Sequence, residues 1–433
     1  MAKTLKFGEN GKWATKTGSS MAYNDQNGNF KPMPFAVTRA SSATRVNKEG
    51  LIEVVGNDKL RIDYTDSSNG VALLEPARTN LVTYSEDFSN SSWTKIAISV
   101  STNNTSSPDG SVTADKITES ATSSEQTLYY ETSVTTGTQY TLSLFVKKSE
   151  RRWFFLRFGA AFGAFTNAFA WFDLENGLLG SKEAGIDNYS IDNYGNGWYK
   201  VTATATSTAN ATGRLFYGIA TSDGVKSYTG DGTSGVYIWG AQLEQGSYPT
   251  SYIPTSGSTV PRAADVANGA GNAQVFNDSE GVLFANVAAL ADDGTSRRIA
   301  VSDESYSNRA MIELDENSNK LNYFVFSGGV NQNINVDFIL SNSTLYNKIA
   351  AKYKVNDFAL WVNGFEVDFS TSGNTPTGLD ELAFDDGGNT SKFYGKAKEI
   401  GYYDAVLTDA ELEALTSYTS FTNMANELNL TIR

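Results

Sequence analysis

The chemistry open to this chain is narrow. Its 433 residues include no histidine and no cysteine, so no thiol nucleophile, disulfide framework, zinc finger or Ser-His-Asp triad can be assembled. Acid–base work would fall to paired carboxylates, as in glycosidases. Glu366-Val367-Asp368 places two on one face of a predicted strand, but directly after a turn, where charges are expected anyway. Glu411-Leu412-Glu413 falls in a predicted helix, and no Glu-x-x-x-Glu or Glu-x-Asp-x-Glu lies in a predicted strand. The expectation is a protein that is not an enzyme.

Two other residue sets could hold a ligand. The turn Asp385-Asp386-Gly387-Gly388-Asn389 gathers two carboxylates and an amide, oxygen ligands of the kind calcium takes. A solvated acidic turn has the same composition, and neither this turn nor the weaker Asp292-Asp293-Gly294 and Asp303-Glu304 has EF-hand spacing. Asp385 and Asp386 are therefore the metal candidates, with calcium the one cofactor considered. Aromatic rings in strands can stack on the C–H face of a pyranose while neighbouring polar groups meet its hydroxyls. Trp153, Trp171, Trp198, Tyr217 and Trp239 lie mostly inside alternating runs, where one face must be core. Trp361 is offset by one from Leu360, opposite the apolar side of its strand, which makes it the better exposed ring. The ligand-binding candidates are Trp361, Trp153, Trp171 and Tyr217.

Composition then bounds the scaffold that must position these groups. The length suits two to four domains at roughly 100–200 residues each. Charged residues are 19 %, aromatics 12 % and glycines 38, a balance that favours strands and turns over disorder. Lys+Arg of 34 against Asp+Glu of 48 leaves a net charge of −14, which repels phosphates and argues against nucleic acid. The N-terminal residues lack the apolar stretch of a secretory signal. No window approaches the roughly 18 apolar residues of a membrane span.

Residues 1–80 are irregular, with short apolar pieces and frequent basic residues, among them Lys6, Arg39, Arg45 and Arg61. A locally basic head on an acidic chain suggests docking to something acidic, although scattered surface charge reads the same way. From 81 to 255, strands alternate with turn signals. Tyr140–Val146 has period two, Asn176-Gly177 and Tyr194-Gly195-Asn196-Gly197 mark turns, and Trp198–Ala205, Arg214–Ala220 and Gly235–Gln242 follow as strands. That density of short strands predicts an antiparallel sandwich of the jelly-roll kind. Gly246–Gly257 carries two prolines and reads as a linker that its tyrosines could pin against a neighbouring domain. From 256 to 420 the pattern repeats, and Asp357–Val362, Asn363-Gly364 and Phe365–Asp368 form the strongest hairpin signal. Thr408 and Glu411 set a capping box for one short helix near 409–417, with Leu407 able to staple onto Leu412. The tail 421–433 ends in alternating apolar residues and reads as a final strand.

Several motifs carry a family resemblance. Arg39-Ala40-Ser41-Ser42-Ala43-Thr44-Arg45-Val46-Asn47, Leu73-Leu74-Glu75-Pro76-Ala77-Arg78-Thr79-Asn80-Leu81, and Ser85-Glu86-Asp87-Phe88 with Trp93 resemble tailed-bacteriophage structural proteins. In these, such an opening precedes a carbohydrate-binding-module-like jelly roll. Gly195-Asn196-Gly197-Trp198-Tyr199 and Gly240-Ala241-Gln242-Leu243-Glu244 through Tyr252-Ile253-Pro254-Thr255 resemble the middle and exit of that domain. The hairpin at 360–365, Ile400-Gly401-Tyr402-Tyr403-Asp404 and Leu407-Thr408-Asp409-Ala410-Glu411 are similar to concanavalin A-like (laminin G-like) lectin domains. The resemblance implies an all-β fold: two antiparallel β-sandwiches, jelly roll then concanavalin A-like, after an irregular N-terminal attachment segment, with one short C-terminal helix. It further implies a homo-oligomeric fibre or decoration subunit on the virion surface, anchored to other virion proteins through its N-terminal segment. Its sandwiches would bind host-surface polysaccharide or act as spacers. Polysaccharide degradation is the third reading. Fold alone does not choose between them.

Overall fold

A computed structural model describes residues 5–8, 12–332 and 338–432. Antiparallel sheets dominate, and among the described residues the α-helices are two short ones near the C-terminus, Asp409–Thr416 and Phe421–Glu427. The chain is all-β, as expected. It divides into a composite unit, formed by Met1–Ser42, Val55–Pro76 and Ala263–Arg433, and a middle unit, formed by Ala43–Val54 and Ala77–Arg262.

The middle unit stacks two six-stranded sheets. One runs Thr94–Ile96, Gln126–Val134, Ala211–Ala220, Trp153–Gly159, Ala168–Asp173, Leu178–Lys182. The other runs Ile98–Thr105, Ala114–Glu119, Gly235–Gln245, Gln139–Lys148, Trp198–Thr206, Asn188–Asn193. Period-two side chains from both, including Leu142, Leu144, Phe154, Leu156, Val201 and Tyr217, fill the space between them. The 246–257 stretch, expected to be a linker between domains, belongs to the middle unit itself. Tyr252 is buried against Phe145 and Trp239, its ring 4.6 Å from that of Trp239.

The composite unit is also a sandwich. One sheet carries Phe365–Ser370, Phe358–Val362, Asn347–Lys354, Glu280–Ala289 and Gly395–Tyr403 in order. The facing sheet carries Lys320–Ser327, Arg309–Leu314, Arg297–Ser302 and Glu381–Ala383. The predicted Asn363-Gly364 hairpin is present, with φ of 51° and 92° at the two turn residues, the left-handed pair that matches strand twist.

The N-terminal stretch is where sequence and structure part. Among the described residues, no separate segment spans 1–80. Leu5–Phe7 pairs with Gly395–Tyr403, Val71–Leu74 pairs with the same strand further along, and Phe35–Thr38 pairs with Val266–Asn268. Phe7 is buried, its ring 4.8 Å from Phe35 and 5.7 Å from Phe384. Short apolar pieces that look irregular in sequence are strands completed by partners hundreds of residues away.

Arg39 and Arg61, counted as part of a basic docking head, are interior. Arg39 Nη1 meets Asp265 Oδ1 at 2.8 Å, Arg61 Nη1 meets Glu75 Oε2 at 2.6 Å, and Arg61 Nη2 also pairs with Asp265. Arg39 further donates to the carbonyls of Ser41, Val55, Gly56 and Lys59. The chain crosses between units at 42/43, 54/55, 76/77 and 262/263. This network therefore ties together the composite-unit side of all four crossings. On the middle-unit side, Asn80 uses its whole amide: Nδ2 donates to Ala241 O and Ile253 O, and Oδ1 accepts from Val82 and Leu243 N–H. The motif residues thus have an architectural job.

The tail departs from expectation too. Phe421–Glu427 is a helix, not a strand; the Ser420 hydroxyl caps it by accepting from Asn423 N–H at 3.0 Å.

Candidate functional site

Strand parity in the middle unit sorts its aromatics. Phe154, Leu156 and Phe158 point into the core, so Trp153, Phe155 and Arg157 point outward. On neighbouring strands Phe169, Trp171 and Phe216 share that outer face. Antiparallel register aligns them into rows. One row runs Tyr129, Phe216, Arg157, Phe169; the next runs Thr127, Gly218, Phe155, Trp171. Gly218 leaves room for the Phe155 ring, since a Cβ there would lie 2.1 Å from its Cζ.

Cations lie between the rings. The Arg157 guanidinium is 4.2 Å from the Phe216 centroid and 5.0 Å from Phe169. Arg214 lies 5.1 Å from Tyr129 and 5.7 Å from the exposed Phe162, and Lys226 sits 4.7 Å from Phe169. Phe169 and Trp171 are stacked at 5.2 Å. Each cation has a carboxylate: Arg157 meets Glu125 at 2.5 Å, Arg214 meets Glu131 at 2.6 Å, and Lys226 meets Glu183 at 2.5 Å. Phe216, Phe169 and Trp171 are themselves buried, so the rings on this face that can stack on an apolar sugar face are half-buried Tyr129 and Trp153 and exposed Phe162, with the guanidinium–carboxylate pairs placed to meet its hydroxyls.

Of the expected ligand residues, the structure brings Trp153 and Trp171 to this face. Trp153 is half-exposed, whereas Trp171 is buried and its Nε1 donates to Val225 O at 3.1 Å. Trp171 supports the surface from below. Tyr217 is 0 % exposed, faces the core and packs 5.3 Å from Trp93, so it has no face to offer a ligand. Trp361 is the instructive correction. It does lie opposite Phe358, Leu360 and Val362, yet the helix Asp409–Thr416 brings Leu412 over it and leaves it 7 % exposed. Alternation assigns a side of the sheet; another element decides whether that side meets water. Tyr129, Arg157, Arg214 and Phe216 were not singled out from sequence, and the signal that would find them is their parity with Trp153 once strand register is known.

The acidic turn is also internal. Asp385 accepts from Gly387 N–H and pairs with Lys392 Nζ at 2.9 Å; Asp386 accepts from the N–H groups of Gly388 and Thr390 and from the Thr390 hydroxyl at 2.5 Å. Both are buried, and their oxygens stabilise the turn itself. The donor set does not fit a cation: a Lys392 ammonium already lies against Asp385, and among the described residues no three acidic side chains converge as metal ligands. Glu366 and Asp368 do not share a face either. A register shift opposes Glu366 to Trp361 and Asp368 to Leu360, which point to opposite sides. Burial, with Asp385 and Glu304 adding repulsion, raises the Glu381 carboxyl to about 7. Burial likewise raises Asp115 to about 6, against hydrogen bonds from Asn103 and Phe88 N–H.

No family model and no curated protein matches the sequence. Among solved structures, the chain is similar to the CBM40 module of Ruminococcus gnavus IT-sialidase, bound to α2,3-sialyllactose. The TM-score is 0.29 at 15 % identity, over 35 % of this chain and 94 % of that one. It is also similar to domains LG4-5 of the mouse laminin α1 chain, with a TM-score of 0.23 at 10 % identity, over 79 % of this chain and 91 % of that one. At such scores the likeness carries no weight for function, and the all-β sandwich architecture stands on the strand pairing described above.

Proposed function

We propose that this chain is a non-enzymatic, glycan-binding subunit of a bacteriophage virion surface, a fibre or decoration protein, with the outer face around Trp153, Tyr129 and Arg214 as its sugar platform. The observation that carries the reading is the face on which half-buried Tyr129 and Trp153 flank Arg157 and Arg214, with Phe216 and Phe169 buried beneath the cations. Weak single-site binding would be multiplied by many copies on one particle. The motif resemblance supports the virion setting.

The test is a glycan array probed with the multivalently displayed full chain, alongside Trp153→Ala and Tyr129→Ala. Binding that falls at least tenfold in both variants supports the platform. Absence of binding at high valency turns the reading toward a second one, a structural spacer. The burial of Phe216, Phe169 and Trp171 on that face favours that second reading. Antibody labelling of intact particles tests the virion setting.

A further inference from the structure

The facing sheet of the composite unit has an outer surface of its own. Ile299, Val301, Ile312, Tyr323 and Val325 point into the core, so Ser302, Arg309 and Phe326 form one outward-pointing row and Ala300, Met311 and Phe324 the next; Ala300, Ser302 and Met311 are buried there, and the half-buried rings of Phe324 and Phe326 are what these rows open to solvent. Tyr306 rises beside these rows. Its hydroxyl lies 2.9 Å from that of Thr390, and Gly388 fits against its ring, where a Cβ would come within 2.5 Å.

Arg309 is the anomaly. Its guanidinium is sandwiched 4.9 Å from the Tyr306 centroid and 4.4 Å from that of Phe326. Nη1 donates to Asp386 O at 3.1 Å, and Nε, sealed from solvent, donates to nothing. Arg39, Arg61 and Arg297 are also buried, and each meets a carboxylate within 2.8 Å; among the described residues Arg309 forms no ion pair. A desolvated guanidinium without an anion is costly. Burial accordingly lowers its pKa, with the Arg298 charge adding to that and Asp386 opposing it. Arg309 keeps 7 % of its surface open, beside the half-exposed rings of Phe324 and Phe326.

We infer that this surface binds a carboxylate-bearing sugar, a uronate or sialate residue, with Arg309 as the anchor for the carboxylate and Phe324 and Phe326 as the stacking rings. A guanidinium fork suits a planar carboxylate, and the flanking rings suit a pyranose C–H face. A chain of net charge −14 does not gather polyanions through its long-range field, so recognition here is local, one acid group at one arginine. The site lies in the other unit from the Trp153 platform and stands independently of it.

Calorimetry on the full chain with a uronate oligosaccharide, a sialylated oligosaccharide and the carboxyl-reduced form of each decides the matter. At least one acid form is expected to bind tenfold or more tightly than its reduced counterpart. Arg309→Gln should abolish that preference while Val54→Ala, at an exposed residue outside both surfaces, retains it, and which acid binds distinguishes uronate from sialate. Equal affinity for acid and reduced forms, no binding of either acid at millimolar concentration, or unchanged affinity in a folded Arg309→Gln protein overturns the inference. Inorganic phosphate binding in place of both acids overturns it in favour of a phosphate site. Should Arg309→Gln not fold, the wild-type comparison with reduced sugars still decides, with Phe324→Ala expected to weaken acid binding severalfold.

Discussion

Arg61 and Arg309 are both buried arginines of the composite unit, and their surroundings differ in one respect. Arg61 lies between Glu75 and Asp265, which raise its pKa above the ordinary arginine value although burial works against the charge. Arg309 lies between two aromatic rings, with a single carbonyl for a hydrogen-bond partner and a lowered pKa. A satisfied buried ion network holds separate chain segments together, here those carrying Arg39, Arg61, Glu75 and Asp265 within the composite unit. An unsatisfied buried cation leaves hydrogen-bonding capacity for something from outside. Burial alone does not separate the two roles; the accounting of partners does.

The sharpest way to break that comparison is the same substitution at both positions. Arg61→Met leaves Asp265 and Glu75 buried with one fewer counter-charge and should cost about 3–5 kcal/mol, read by urea unfolding. Arg309→Met strands no carboxylate and should change stability by about 1 kcal/mol or less, with stabilisation the expected sign. Comparable losses at the two sites would end the distinction.

Glu381 sharpens it through pH, since it shares the outward row of Ser302 and Arg309. Its folded pKa of about 7 lies above the ordinary 4.5, so the folded chain holds this proton where the unfolded chain has released it. Stability therefore falls as pH rises from about 4.5 to about 7. Solvent screening at this half-buried site limits the effect to about 1 kcal/mol. Glu381→Gln should remove that part of the slope between pH 5 and pH 8, and an unchanged slope would show that the carboxyl is already ionised. An effect of similar size, but local to one cap, is expected at the helix over Trp361. Thr408 accepts from Glu411 N–H while Glu411 accepts from Thr408 N–H, and Thr408→Ala should cost about 1 kcal/mol in thermal unfolding.

Local signals were legible where local physics sets the answer. The Asn363-Gly364 turn needs two left-handed residues, and the Thr408 capping box is closed within four positions; both are present as read. The second helix was missed because alternating residues near the C-terminus outweighed a lone Ser420 cap. Half of the candidate face was legible: Trp153 and Trp171 share it, but Tyr217 is one position out of phase with Phe216 and points to the core. Residues 1–80 misled most. Leu5–Phe7 and Val71–Leu74 find their partner strand at 395–403, and Arg39 finds Asp265, pairings that leave no trace in local composition.

By itself the sequence determined the chemistry that is excluded, through the absence of histidine and cysteine, and the sheet-forming character of the chain, through period-two alternation and turn residues. Both are properties of residue type and near neighbours. Only the tertiary structure decided which rings meet solvent, which arginines are neutralised, and that the N-terminal residues belong to a sandwich. Each of these depends on what a distant segment places against a side chain, and desolvation and charge pairing act through space rather than along the chain.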